Sequence, residues 1–214
     1  MATIVPGVLT NEEDVYAKRL EVAGRVCGLV QIDLVDGKFA NNFTVGVDVI
    51  KKHNPKCHLE IQLMVVDPIS YIDELAKLDF VTKIIFPLEI DAPINDVIYK
   101  IKKTKKQVGL SINPDTEIEA AEPFFDEIDL LLLMTGKPGF SGQKLGSDTY
   151  ARIKKARILN ATLPIEIDIG VNFENAQKLA KAGANYLVAS SVLFGATDFN
   201  LAYEKLANLA KING

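Results

Sequence analysis

Histidine and cysteine are scarce in this chain: 214 residues contain two of each, His53, His58, Cys27 and Cys57. Neither cysteine belongs to a C-x-x-C pair, so no redox motif or cysteine-based zinc site is indicated. Two thiols with apolar neighbours read instead as buried groups in a reducing compartment. No apolar run approaches the ~20 residues of a membrane-spanning helix, so no membrane partner is expected. Basic excess is missing too: the net charge is −4 and the pI about 5.3, which argues against a nucleic-acid partner. The opening stretch, Met1 to Asp14, has no positive region ahead of its apolar residues. No secretory signal is read there, and a cytoplasmic location is expected.

What the chain does have is apolar sequence in regular instalments. Hydrophobic residues make up 48%, enough for a full core, and no linker or low-complexity segment interrupts them. Eight β-rich runs recur, at Thr3–Leu9, Leu29–Val35, Cys57–Val65, Lys83–Glu89, Gln107–Asn113, Leu130–Thr135, Ile165–Gly170 and Asn185–Ser191. Several are apolar almost throughout, as parallel strands covered on both faces should be. Helical signals lie between them. Thr10 and Glu13 have capping-box spacing, followed by a stripe of Tyr16, Leu20 and Ala23. Asn172 is placed to cap a helix carrying Ala176, Leu179 and Ala180, which Gly183 would stop in a left-handed conformation. A last stripe holds Ala202, Leu206 and Leu209. Eight βα units in line predict an α/β chain forming one (β/α)8 TIM barrel over residues 1–214. An open doubly wound sheet is the rival arrangement.

In a barrel, chemistry sits at the C-terminal ends of the strands. Period-two alternation puts Gln31, Asp33 and Val35 on one face of the second strand, and a carboxyl among β-branched neighbours needs a partner or a function. Asp36, before Gly37, fits a ligand contact or a turn cap equally well. Gln62 and Met64 share a face of the third strand with Glu60 below them, and Asp168 ends the seventh. Asp33 and Asp168 come from nearly opposite strands, so they are candidates for removing a proton on one side of a ligand and returning it on the other. After the sixth strand, Gly136, Gly139, Gly142 and Gly146 allow backbone N–H groups to turn toward an anion, with Lys137 and Lys144 adding positive charge. Gly170 after strand seven and Ser190–Ser191 after strand eight stand where this barrel commonly binds phosphate.

These residues resemble the ribulose-phosphate 3-epimerase family. The likeness spans nearly the whole chain in order: Asp33-Leu-Val-Asp-Gly-Lys-Phe39, Leu63-Met-Val65 with Pro68 and Tyr71, Asn113-Pro114, Met134-Thr135 with Pro138-Gly-Phe-Ser-Gly-Gln143, and Asp168-Ile-Gly-Val-Asn172. The resemblance implies a ribulose-phosphate-binding barrel that inverts C3 of a ketopentose phosphate with two aspartates, assembled as a dimer or larger homo-oligomer. It makes Asp33 and Asp168 the catalytic pair. With the residue reading, it makes Gln31, Gln62, Met64, Gly139, Phe140, Ser141, Gly142, Gly170, Ser190 and Ser191 the substrate contacts. The family's divalent metal is held by two histidines and two aspartates, which correspond to Gln31, Asp33, Gln62 and Asp168.

Both histidines are therefore glutamine here, and His53 and His58 lie away from the strand ends. Amide oxygen suits hard cations better than zinc or iron, so the metal site is expected to be weak or empty and no cofactor is assigned. Further departures are Gly7 for a serine, Pro87 for a histidine, Ile169 for a glycine and Ser190 for a glycine. Three readings follow: an epimerase of a phosphorylated sugar, a metal-free sugar-phosphate isomerase with another substrate, and a non-catalytic phosphosugar-binding relative.

Overall fold

The computed structural model describes residues 1–211. Its strands are β1 (Thr3–Val8), β2 (Leu29–Val35), β3 (His58–Met64), β4 (Val81–Pro87), β5 (Gln107–Ile112), β6 (Leu130–Met134), β7 (Ile165–Asp168) and β8 (Tyr186–Ala189). They pair in parallel and in sequence order, and β1 closes on β8 with Thr3 opposite Tyr186 and Pro6 opposite Ala189. The helices are α1 (Glu13–Gly24), α2 (Val47–Lys52), α3 (Ile69–Ala76), α4 (Ile94–Lys103), α5 (Thr149–Leu159), α6 (Ala176–Ala182), α7 (Ser191–Phe194) and α8 (Phe199–Ala210). After β5 two short 3-10 turns, Ile118–Ala120 and Glu122–Phe124, stand in place of a helix. The barrel, not the open sheet, is the architecture.

Alternation along each strand makes two cores. Outward residues such as Ile32, Leu34, Ile61, Leu63, Ile84 and Phe86 pack with Tyr16, Leu20, Ile50 and Ile72 of the helices. Burying each such side chain fully is worth about 1.5–3 kcal/mol. Inward residues Val35, Met64, Ile85, Leu130, Leu132 and Met134 fill the barrel itself. Gly109 makes room for one of them, because a Cβ there would come within 2.6 Å of Ile85.

The same inner face carries an ion cluster. Lys83 Nζ lies 2.6 Å from Glu60 Oε2 and 3.9 Å from Glu166 Oε2, all three buried, and 4.9 Å from the Tyr186 ring centroid. Burial opposes the charge on Lys83, but the two carboxyls outweigh it and raise its pKa. Burial, and next the charge of Glu60, pushes the Glu166 pKa well above the usual carboxylate range. Lys83 thus pairs with Glu60, and Glu166 is pushed toward its neutral form.

Several local expectations are corrected. The capping box does not form: α1 begins at Glu13, and the Thr10 hydroxyl accepts from the Glu12 N–H at 3.2 Å, closing a tight turn ahead of the helix. β4 runs Val81–Pro87 rather than Lys83–Glu89. Beyond Pro87 the Glu89 side chain leaves the ladder, and its Oε1 accepts from the Asn113 N–H at 2.8 Å. β8 stops at Ala189, because Ser191 already opens α7. On α8 the third buried position is Ala210, and Leu209 is only half-buried. Asn172 does not cap α6 itself: its Oδ1 accepts from the Glu174 and Asn175 N–H groups in the turn ahead of the helix, whose N-cap is Asn175. Gly183 ends α6 as read, at φ 120°.

Removing a buried ion-pair partner strands the other charge. Lys83→Met is expected to lower the unfolding free energy by about 3–5 kcal/mol in urea melts at pH 7. A loss below about 1 kcal/mol would show that the Lys83–Glu60 contact is not a buried ion pair on which stability depends.

Candidate functional site

β2, β3 and β7 bring four polar side chains together at the top of the barrel. Their register sets Gln31 beside Glu60, Asp33 beside Gln62, and Met134 of β6 beside Asp168. Gln31 Nε2 donates to Asp33 Oδ1 at 2.8 Å and lies 3.5 Å from Asp168 Oδ2, so one amide spans both carboxyls. It also lies 2.8 Å from the Gln62 amide oxygen. In that orientation the Gln62 nitrogen sits 2.9 Å from Met134 Sδ. Turned over, the nitrogen lies 3.0 Å from Asp168 Oδ2 and 3.2 Å from Asp33 Oδ1, but then faces the Gln31 nitrogen at 2.8 Å, so the two amides can serve the carboxyls together only if Gln31 turns as well.

The two carboxyls are not equivalent. Burial first, then the charge of Asp168, pushes the Asp33 pKa well above its usual value, against the hydrogen bond from Gln31. Burial also raises Asp168, but only to about 6, because the Ile169 N–H and Gln31 donate to it. Both carboxyls are thus pushed toward holding a proton, Asp33 well above its usual value, and the two titrate as a coupled pair.

Above them a cavity of about 30 Å³ is lined by Asp33, Met64, Gly139, Phe140, Ser141, Gly142, Asp168, Gly170, Ser190 and Ser191. Every predicted contact lies there except Gln31 and Gln62, which sit fully buried just beneath the carboxyls. The roof is the loop after β6. Gln143 clasps it, donating to Lys137 O and Phe140 O at 2.7 Å and accepting from the Lys137 N–H. The loop after β2 meets it across the mouth, where Asn42 Nδ2 donates to Gly139 O at 2.6 Å.

Lys137 and Lys144 do not line the cavity. Both are exposed, and Lys137 lies over the Phe140 ring, 5.5 Å from its centroid. Asp36 is a turn cap: its carboxylate accepts from the Lys38, Phe39 and Val66 N–H groups. Burial works against that charge, but these three donors hold its pKa below the usual value. His53 contacts Glu13 and the Tyr16 ring, and His58 is exposed at the start of β3, so neither reaches the mouth.

Sequence reasoning missed Gly7, Leu9, Met134, Ile169, Val171 and Val188 as lining residues. For Met134 the signal was present, since it ends β6 as Met64 ends β3. For Ile169 it was not, because its position depends on a backbone turn held from another strand. The Thr135 hydroxyl donates to Ile169 O at 2.7 Å and Asp168 O at 3.1 Å.

Fold and site define a (β/α)8-barrel protein with paired carboxyls at the mouth of its strands. The model of the ribulose-phosphate 3 epimerase family matches residues 3–194. Relatives include the ribulose-phosphate 3-epimerase of Bacillus subtilis (strain 168), 32% identical over 96% of this chain and 98% of that one. Another, from Chlamydia pneumoniae, is 35% identical over 85% of this chain and 82% of that one. The chain therefore belongs to the ribulose-phosphate 3-epimerase family and is, by class, a carbohydrate-phosphate epimerase. Solved structures share the barrel at lower identity. A 3-hexulose-6-phosphate synthase superposes with TM-score 0.70 at 17% identity, covering 98% of this chain and 100% of that one. Orotidine 5'-phosphate decarboxylase from Pyrococcus horikoshii OT3 gives 0.69 at 15%, covering 97% and 99%. These two likenesses show the fold alone.

A carboxyl whose pKa is raised on folding costs stability as pH climbs from its unfolded value through its folded one. For Asp168 that window runs from about pH 4 to 6. Chemical melts of Asp168→Asn and the parent should shift in the variant's favour by about 2–3 kcal/mol between pH 4 and pH 8. A gap independent of pH would mean that Asp168 titrates normally.

Proposed function

We propose that this chain epimerises a ketose phosphate at the carbon next to its carbonyl, interconverting D-ribulose 5-phosphate and D-xylulose 5-phosphate or a close analogue. The observation that carries this is the Asp33–Asp168 pair, bridged by amides and open to one cavity. Ionised Asp168 removes the proton from one face of the carbon, and the bond electrons move onto the carbonyl oxygen to give an enediolate. Protonated Asp33 then delivers a proton to the opposite face, the carbonyl reforms, and the two carboxyls end in exchanged protonation states. The Gln31 amide, buried beneath the carboxyls and donating to them, holds the pair in place for this exchange and does not reach the substrate's oxygen. The backbone around Gly139–Gly142, Gly170 and Ser190–Ser191 holds the phosphate. The cytoplasm is the matching location.

The family's metal fits these residues poorly. Two of the four corresponding groups are neutral amides, and the amide nitrogen of Gln31, not its oxygen, faces the carboxyls. Among the described residues no three or more His, Cys, Asp or Glu side chains gather to hold an ion. Zinc and iron prefer imidazole or thiolate to such a set. Proton exchange between two carboxyls and a substrate carbon proceeds through residues this chain supplies.

A coupled assay with D-ribulose 5-phosphate tests the reading. Asp33→Asn and Asp168→Asn are each expected to lower kcat by about 10²–10⁴-fold. Turnover that survives Asp33→Asn would remove Asp33 from the chemistry. Absence of solvent-deuterium uptake into any ketose phosphate would favour a binding role instead. Elemental analysis checks the metal: the purified protein should hold no stoichiometric zinc, iron or manganese, and chelator treatment should leave turnover unchanged.

A further inference from the structure

Ile169 has φ 78° and Gly170 has φ 77°, so the chain leaves β7 through two successive left-handed residues. Glycine adopts that conformation freely. For a β-branched side chain it is an outlier that persists only where its surroundings enforce it. The enforcement is visible. Thr135 holds the carbonyl oxygens on either side of the turn, and Asp168 Oδ1 accepts the Ile169 N–H at 2.7 Å. Gly170 itself has no freedom to vary, since a Cβ there would meet the Leu145 backbone at 2.4 Å. Ile169 does not sit in the outer core that would reward its bulk. It packs in the inner cluster with Val35, Met64 and Met134 and lines the cavity between Asp168 and Gly170. Its Cγ2 also lies 2.8 Å from where a side chain on Gly136 would begin, so it props the root of the loop after β6. A strained, bulky residue is thus maintained in the cavity wall, next in the chain to Asp168 on one side and to Gly170 on the other.

We propose that Ile169 is a specificity-determining residue: its side chain limits the length of carbon chain that fits between Asp168 and the phosphate loops, selecting a five-carbon over a six-carbon ketose phosphate. This rests on the functional reading above, because it takes Asp168 as the group at the reacting carbon. A wall that differs by single carbon groups discriminates ligands by roughly 10–200-fold, so a branched four-carbon side chain is large enough to set such a limit.

The test compares the parent with Ile169→Gly, Ile169→Ala and Ile169→Val, using D-ribulose 5-phosphate and D-fructose 6-phosphate as substrates and solvent-deuterium uptake at the carbon beside the carbonyl as readout. Glycine opens the wall and relieves the backbone; alanine opens the wall and keeps the strain; valine removes one carbon and keeps the protein close to its parent. The ratio of kcat/KM for the six-carbon to the five-carbon substrate should rise by about tenfold or more in both the glycine and alanine variants, and by less in valine. The melting temperature should be higher in the glycine than in the alanine variant. A ratio that moves only in the glycine variant would trace the effect to strain and overturn the proposal. A parent that turns over the five-carbon substrate, with all three variants keeping its ratio, would overturn the proposal and leave the epimerase reading standing. No uptake into either substrate by any of the four proteins would overturn both.

Discussion

More acid than base is buried inside this barrel, and that imbalance governs the rest of the site. Among the described residues, Asp33, Glu60, Glu166 and Asp168 share the inner face with a single cation, Lys83. In a low-dielectric interior the charges must be paired or neutralised. In the lower group Lys83 pairs with Glu60, and burial pushes the Glu166 pKa well above the usual range. In the upper group, among the described residues, amide donors stand where a cation would, and burial pushes Asp33 well above its usual value and Asp168 to about 6. Two carboxyls in unlike surroundings thus stand side by side without an imidazole.

Glutamine at positions 31 and 62 is then coherent with its surroundings. An amide nitrogen is a donor at every pH, so it can hold two carboxyls in place without adding charge to a crowded interior. Had either been a histidine, its protonation would be coupled to four carboxyls nearby. The amides fix geometry and leave titration to the aspartates.

Much of this was legible in the order of residues. The eight strands announce themselves because strands covered on both faces are apolar nearly throughout, and the ends of β2, β3 and β7 gave Gln31, Asp33, Gln62 and Asp168 by alternation alone. What stayed hidden depends on closure of the ring or on hydrogen bonds between distant strands. That Gln31 touches a carboxyl 137 residues away follows only from the barrel's register. The left-handed Ile169 runs against its own side-chain preference and is imposed by Thr135 from β6. Lys83 was readable as inward from the same alternation as Ile85, but its partners were not. Lys137 and Lys144 misled because positive charge near a glycine-rich loop looks like phosphate recognition, whereas here the backbone faces inward and the lysines face water.

The bond from Asn42 to Gly139 ties the loop after β2 to the loop after β6 beside the pocket. It joins a side chain to a backbone carbonyl, so the two loops are fastened at one point and not along a ladder. Breaking it is a local event that leaves the barrel's own hydrogen bonds untouched, and the mouth can change shape without cost to the strands that carry the carboxyls.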